Sequence, residues 1–387
     1  MVNISTTTTG RRRAAGQGDG VARRLLPEHT RSHNRSLMLR LLYRGEGQSR
    51  AELARASGLS QVTVSDLVSE LIDEGIVVEE GRRKGPGPGA PARVIGLAPG
   101  SRNVLAIAIS GGDRFEGAVF SLGGEIIAHD LVERGAEVGD DAVRLLTDLV
   151  DRLLDHVTAP VLGVGVSSPG IIDADGVVRV SANLGWSDLP LRELLAEHTG
   201  LPVYVTNGAN ALGIAELSLA RVDHDLLLVR IGSGVGIAAI VNGELVHGLD
   251  YTAGELGHVI VSEGEGPVCG CGRVGCLEAW LSVPRLSARL AAAAGPEEDE
   301  RIRRQAGRYL GGALAPLVAT LGLTDIALSG PAELIEGALI DEVREALRAR
   351  LLPLLFEGLD VRLAETADDT RLRGAMILVL DEVLGIT

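Results

Sequence analysis

The sequence predicts a winged helix-turn-helix at the N-terminus, followed by a larger α/β domain built as two related lobes. Three observations carry that prediction. Helical periodicity, two capping serines and a glycine break fall in helix-turn-helix order across residues 32–72. The formal charge is divided: residues 1–100 carry 15 Lys+Arg against 10 Asp+Glu, a net of +5, whereas the remainder of the 387 residues nets -20. Beyond Pro99 and Gly100, short apolar runs alternate with glycine turns, and the strand group that opens this region is echoed near residue 226.

This length corresponds to two or three domains at ~100 to 200 residues each. With 45% hydrophobic and 23% charged residues the composition is globular, which excludes disorder as the main state. No run approaches the ~20 apolar residues of a membrane span, and the Arg-rich start lacks an apolar signal core, so the chain is read as cytoplasmic with no membrane partner. A charge of -15 spread evenly would argue against nucleic acid; divided as it is, it points to a nucleic-acid module fused to an acidic domain. Aromatics at 2% leave little to stack single-stranded bases, so the expected partner is a double-stranded DNA operator.

Residues 1–30 (TTTTGRRRAAGQGDG and its flanks) have no apolar periodicity and read as a disordered basic arm. From Ser32 a helix carries Leu37, Leu39, Leu41 and Leu42, ending at Gly45 and Gly47. Ser49 with Glu52 three residues on forms a capping box for a short helix bearing Leu53 and Ala54, and Gly58 breaks it. Ser60 caps the next helix, with Val64, Leu67, Val68 and Leu71 at core spacing and Gln61, Thr63 and Ser65 on other faces. IVVEEG and VIGLA read as two strands around the basic loop RRKGPGPGAPAR, which makes a wing and closes a DNA-binding domain over residues 31–98. Short helical pairs also occur in ordinary bundles; the local charge, the polar start of the second helix and the Arg-rich wing favour DNA. The expected DNA contacts are Ser49, Arg50, Ser60, Gln61 and Thr63 on the helices and Arg82, Arg83, Lys84 and Arg93 on the wing.

Residues 99–387 form the second domain. VLAIAI, FEGAVF and EIIAHDLV are three successive strands, followed by an amphipathic helix over 140–155. VLGVGVSS, GVVRVS and LPVYVT are further strands, and a helix over 209–219 leads to the strands LLLVRIG and GIAAIV. After an irregular Gly/Cys region come helices, one strand (DIALSG) and a final helix from Asp369.

The densest chemistry is GHVIVSEGEGPVCGCGRVGC, which gathers all three cysteines, Cys269, Cys271 and Cys276, close to His258. Three thiolates and an imidazole complete a tetrahedral zinc ion with no open position, so a structural Zn2+ is expected. Clustered thiols of this kind fit a reducing compartment better than a disulfide framework.

These residues carry a resemblance. GELGHVIVSEGEGPVCGCGRVGCLEAW resembles the signature of the ROK family of repressors, open reading frames and sugar kinases. GVGVSSPGIIDADGVV, SANLGWSDLPL, GLPVYVTNGANALGIAE and RIGSGVGIAAIVNGELVHG follow in the family's order and spacing, and SRAELARASGLSQVTVSDLVSELIDEG is similar to the helix-turn-helix of its repressor branch. The resemblance covers residues 31–387 and implies an actin-like, two-lobed fold of the sugar-kinase and ribonuclease H-like type with a sugar-sized cleft. It places sugar contacts on Asn183, Asn207, Glu255, His258 and Glu278. It also implies a homodimer or a dimer of dimers.

Departures from the kinase pattern bear on activity. The aspartate that serves family kinases as general base is represented by Gly208, and in the first phosphate-binding element, AISGGDR, the aspartate position holds Ala108 or Ile109. Asp113 lies beyond the turn. The loop Gly232, Gly234, Gly236 persists, and Pro331 follows Ser329 and Gly330 in the expected adenosine loop. The sequence therefore reads as a DNA-binding transcriptional regulator, a repressor without kinase activity, controlled by a small carbohydrate effector. An active sugar kinase with an accessory DNA-binding domain, and a regulator that no longer binds sugar, stay open as alternatives.

Overall fold

The computed structural model describes residues 27–45, 47–83, 91–109, 114–219, 225–264, 266–365 and 369–386. Its N-terminal head begins with helix Pro27–Arg44, earlier than Ser32 and inside the arm expected over 1–30. The first turn, PEHT, is polar, so apolar periodicity could not mark it, and proline suits a first helical position. The rest of the expected arm, 1–26, lies outside the described residues.

Ser49 caps helix Arg50–Ser57: its hydroxyl accepts the Glu52 amide, and its own N–H donates to the Glu52 carboxylate at 2.8 Å. Gly58 ends that helix with φ 71°, the left-handed conformation that glycine adopts without a Cβ penalty. Ser60 accepts the Thr63 N–H at 3.1 Å to start helix Gln61–Asp73, which buries Val64, Leu67, Val68 and Leu71. The wing pairs strand Val77–Arg83 antiparallel with Ala92–Leu97, and Gln48 bridges Ile95 to tie the wing to the helices.

Two five-stranded sheets follow. In chain order the first comprises Asn103–Ile109, Arg114–Ser121, Ile126–Glu133, Val161–Ser168 and Val203–Asn207. The second comprises Leu226–Ile231, Val235–Val241, Glu244–Leu245, Asp325–Ser329 and Asp360–Leu363. Both have the spatial order fifth, fourth, first, second, third, with the first strand antiparallel to the second and parallel to the fourth. The two lobes therefore share one topology. Strands Glu244–Leu245 and Asp360–Leu363 were invisible in the sequence, the one because it spans two residues and the other because DVRL offers only two apolar positions. GVVRVS belongs to neither main sheet: Val178–Ser181 sits in a small antiparallel sheet with Ile171–Ile172 and Trp186–Leu189.

The lobes exchange helices. Helix Gly208–Leu219, which leaves the first sheet, contributes Leu212 to a core with Leu226, Leu228, Ala238 and Ile240 of the second. Helix Thr370–Leu384, which leaves the second sheet, packs Ala375, Met376 and Val379 on Val104, Ala106 and Phe120 of the first. The two helices cross in near backbone contact, since a Cβ on Gly374 would stand 1.9 Å from the Ala211 carbonyl oxygen. Arg362 pins the far edge, bonding Glu216 at 2.5 Å and Asp325 at 2.8 Å.

The head is not set apart by a linker. Met38, Leu39 and Leu42 of its first helix share one core with Leu380, Leu384 and Ile386 at the end of the chain and with the first sheet. The C-terminal helix thus touches the head, the first lobe and the crossing helix of the second.

Candidate functional site

Three groups of residues carry the chemistry. On the head, helix Gln61–Asp73 offers Gln61 and Val62 to solvent at its N-terminal end, the part of a recognition helix that reaches base edges. Val62, 71% exposed, escaped the sequence reading because apolar residues were assigned inward; an exposed valine there suits a thymine methyl group. The Ser60 hydroxyl caps the helix and lies 2.9 Å from the Thr63 hydroxyl. Ser49, expected as a DNA contact, is 7% exposed and committed to its capping box. Several expected basic contacts are engaged internally. Arg50 bonds Glu79 at 2.9 Å, Arg93 pairs with the same carboxylate, and Arg83 bonds Glu52 at 2.7 Å and the Gly47 carbonyl at 3.3 Å. The bonds from Arg50 and Arg93 hold the Glu79 carboxyl below its usual range. Arg82 is exposed and forms no ion pair among the described residues. Lys84 and Asp113 lie outside those residues.

In the second lobe, the ligand atoms of His258, Cys269, Cys271 and Cys276 all lie within 4.8 Å of one another. The Cys271 and Cys276 sulfurs are 3.7 Å apart, and His258 Nδ1 is 3.5 Å from the Cys269 sulfur. A tetrahedral metal with bonds of ~2.0 to 2.3 Å has edges of about 3.5 to 3.8 Å, so the donors are spaced to hold one ion. Burial pushes the Cys269 thiol up to about 12, whereas a bond from the Arg273 backbone draws the exposed Cys271 down to about 6. A divalent cation among them reverses the burial effect by favouring thiolates.

Beside this cluster, His258 turns its other nitrogen, Nε2, toward Glu255 at 3.9 Å. Burial is the main cause that raises the Glu255 carboxyl, with Glu278 adding to it. Glu278 accepts the Val235 N–H at 3.1 Å and lies 3.6 Å from the Cys269 sulfur, so three of the five expected sugar contacts, Glu255, His258 and Glu278, converge. Asn207 ends the fifth strand of the first sheet and spends its side-chain oxygen capping helix Gly208–Leu219, accepting from Ala209 and Asn210 at 3.1 and 2.8 Å. Asn183 is exposed on the one-turn helix Ala182–Leu184 and makes no hydrogen bond to the other four among the described residues.

The glycine loop at 232–236 has an internal explanation. A Cβ on Gly234 would stand 2.6 Å from Glu278 Oε2, and one on Gly232 would stand 2.9 Å from Arg230 Nη2. The loop therefore makes room for two side chains of this protein. Arg230, on the strand before that loop, reaches Gly208, where its Nε lies 3.7 Å from the position a Cβ would take, and the buried, unbonded Ser167 Oγ lies 3.9 Å from the same point. Burial draws the Arg230 guanidinium down to about 10, with the charge of Arg371 adding to the effect and Glu278 opposing it. The sequence reading passed over Arg230 because it sits inside an apolar strand, Leu226–Ile231.

A winged helix-turn-helix head on a two-lobed, actin-like sugar-kinase fold defines the class of protein. Within that class the chain belongs to the ROK family, which residues 104–382 match, while residues 31–78 match a winged helix-turn-helix DNA-binding family. The chain is 26% identical to the xylose repressor of Caldicellulosiruptor bescii over 91% of its own length and 96% of that protein's. It is 28% identical to the glucokinase of Halalkalibacterium halodurans over 70% of its own length and 92% of the kinase's. A crystal structure of a ROK family transcriptional regulator, a homologue of the Escherichia coli Mlc protein, matches the fold with a TM-score of 0.79 at 22% identity, over 92% of this chain and 98% of that one.

Proposed function

We propose that this chain is a transcriptional repressor that binds a double-stranded DNA operator through its winged head and is controlled by a small carbohydrate bound between its lobes. The observation that carries this reading is the extent of the match: a repressor relative aligns over 91% of the chain, a kinase relative over 70%. The difference corresponds to the head. Gln61, Val62 and Thr63 are the base-reading residues in this proposal, with Arg82 and the wing on the phosphates. The protein acts as a homodimer or dimer of dimers, its paired heads reading half-sites one helical turn, ~34 to 36 Å, apart.

Glu255, His258 and Glu278, with Asn183 and Asn207, form the effector site, since carboxylates and amides supply the bonds that sugar hydroxyls need. Structural Zn2+ held by His258, Cys269, Cys271 and Cys276 fixes the loop that carries this site, and His258 serves both through its two ring nitrogens. The effector works by binding two head arrangements with different affinity. Kinase chemistry is absent in this reading. Gly208 supplies no base, and the Arg230 side chain occupies the space beside it and beside the glycine loop. A coupled ADP-release assay over a panel of free sugars tests the point: no turnover is expected, and turnover at kinase rates would overturn it.

A further inference from the structure

A cavity of about 860 Å3 lies away from the expected sugar contacts. It lies where the head meets both lobes, and of the five expected contacts only Asn207 reaches it. Its walls come from every part of the molecule: Arg40 and Tyr43 of the head's first helix, Tyr204 of the first lobe, His247 of the second, and Glu382 of the C-terminal helix. We propose that this junction cavity is a second small-molecule site that takes a neutral, polyhydroxylated ligand, a free sugar, and that a ligand there holds the head against the lobes. The proposal goes beyond the effector site described above and does not depend on it.

The polar lining is unfinished. Arg40 Nε and His247 Nδ1 are shielded from solvent and have no hydrogen-bond partner, although buried polar groups are ordinarily satisfied. Both belong to cavity-lining residues, one from the head and one from the second lobe, and a turn of either side chain would bring its covered nitrogen to the cavity, where a ligand hydroxyl would satisfy it. Burial holds His247 below its ordinary value, so its ring is neutral at pH 7 and one nitrogen can accept while the other donates.

The apolar lining points the same way. Three of the chain's four tyrosines, Tyr43, Tyr204 and Tyr251, line this one cavity in a protein with 2% aromatic residues. The Tyr251 ring packs on His247 with centroids 4.4 Å apart. Aromatic faces beside amides and carboxylates suit a ring that is apolar above and below and hydroxylated at its edge. Charge selects a neutral ligand. Glu244, Asp381 and Glu382 line the cavity without an ion-pair partner among the described residues, against the two cations Arg40 and Arg192, so a phosphate dianion would meet net repulsion.

The test is isothermal titration of the full chain with D-xylose, D-glucose and glucose 6-phosphate, on the wild type and on Arg40→Met, His247→Leu and Glu278→Gln. The proposal expects a free sugar to bind Glu278→Gln protein, and Arg40→Met and His247→Leu each to weaken that binding at least tenfold. It also expects slower amide exchange along helix 27–44 when sugar is added. The two substitutions lie in different parts of the fold, so a folding defect in one leaves the other as the measure. Binding lost in Glu278→Gln but unchanged in Arg40→Met and His247→Leu overturns the junction site and leaves the interlobe site standing. Binding of glucose 6-phosphate alone, or of none of the three, also overturns it.

Discussion

The guanidinium of Arg230 stands 3.7 Å from where a side chain would begin at Gly208. Gly208 opens a helix and makes no demand for a left-handed backbone, so Gly208→Asp is tolerated there and brings a carboxylate to a cation that has no ion-pair partner among the described residues. The substitution is predicted to stabilise the fold by about 1 to 3 kcal/mol, the worth of a hydrogen bond to a charged group. It is predicted not to create kinase activity, because the new carboxylate pairs with Arg230. Thermal unfolding and an ADP-release assay on one preparation check both halves.

Zinc content follows from the spacing of His258, Cys269, Cys271 and Cys276. Native protein should hold about one zinc per chain, and Cys271→Ser should release it and lower the melting temperature. Metal analysis of unchelated protein that finds no zinc contradicts the assignment.

On the head, Gln61→Ala and Val62→Ala should each cost about 1 to 3 kcal/mol on the preferred operator and relax preference at one base pair. Arg82→Ala should weaken all sequences alike and shallow the salt dependence by about one unit of slope. Arg83→Ala should have the smaller effect of the two arginines, since Arg83 is paired with Glu52. Titrations at several salt concentrations decide between them.

Much of this was legible in advance, because local rules govern it. Ser49 with Glu52, Gly58 and Ser60 mark helix ends through bonds made within a few residues, and the helices begin and end there. The Cys/His loop was equally plain, since His258 and the three cysteines fall within one short stretch. What escaped depends on distant partners. Strand Asp360–Leu363 forms by pairing with Asp325–Ser329, and its Arg362 reaches Glu216 and Asp325, all of them far from it in sequence. The Arg50–Glu79 pair, the Arg230 side chain beside Gly208 and the junction cavity likewise join segments far apart in the chain.

Arg362 supplies a stability prediction. Glu216 is 1% exposed and Asp325 3%, so Arg362→Met would take a shared cation away from two buried carboxylates. The loss should be about 3 to 5 kcal/mol, read by denaturant unfolding. Glu216→Gln, which keeps the shape, should cost less.

His247 makes stability pH-dependent in one direction. Burial holds its folded pKa below the ordinary 6.5, with Glu382 opposing only in part, so the unfolded chain takes up the proton first. Its contribution is complete above about pH 6.5 and declines as pH falls from there toward the folded value. Between about pH 7 and 5.5 the unfolding midpoint of His247→Leu should fall less steeply than that of the wild type.

That this protein is a DNA-reading regulator on a kinase fold is the central claim. Selection of bound duplexes from a random library by the full-length chain, followed by fluorescence titration of the recovered sequence, measures that claim directly. The predicted result is a two-half-site operator bound at least about a thousandfold more tightly than random duplex at the same salt, with that preference weakened by Gln61→Ala. Equal affinity for recovered and random duplexes, unaffected by Gln61→Ala, would contradict it.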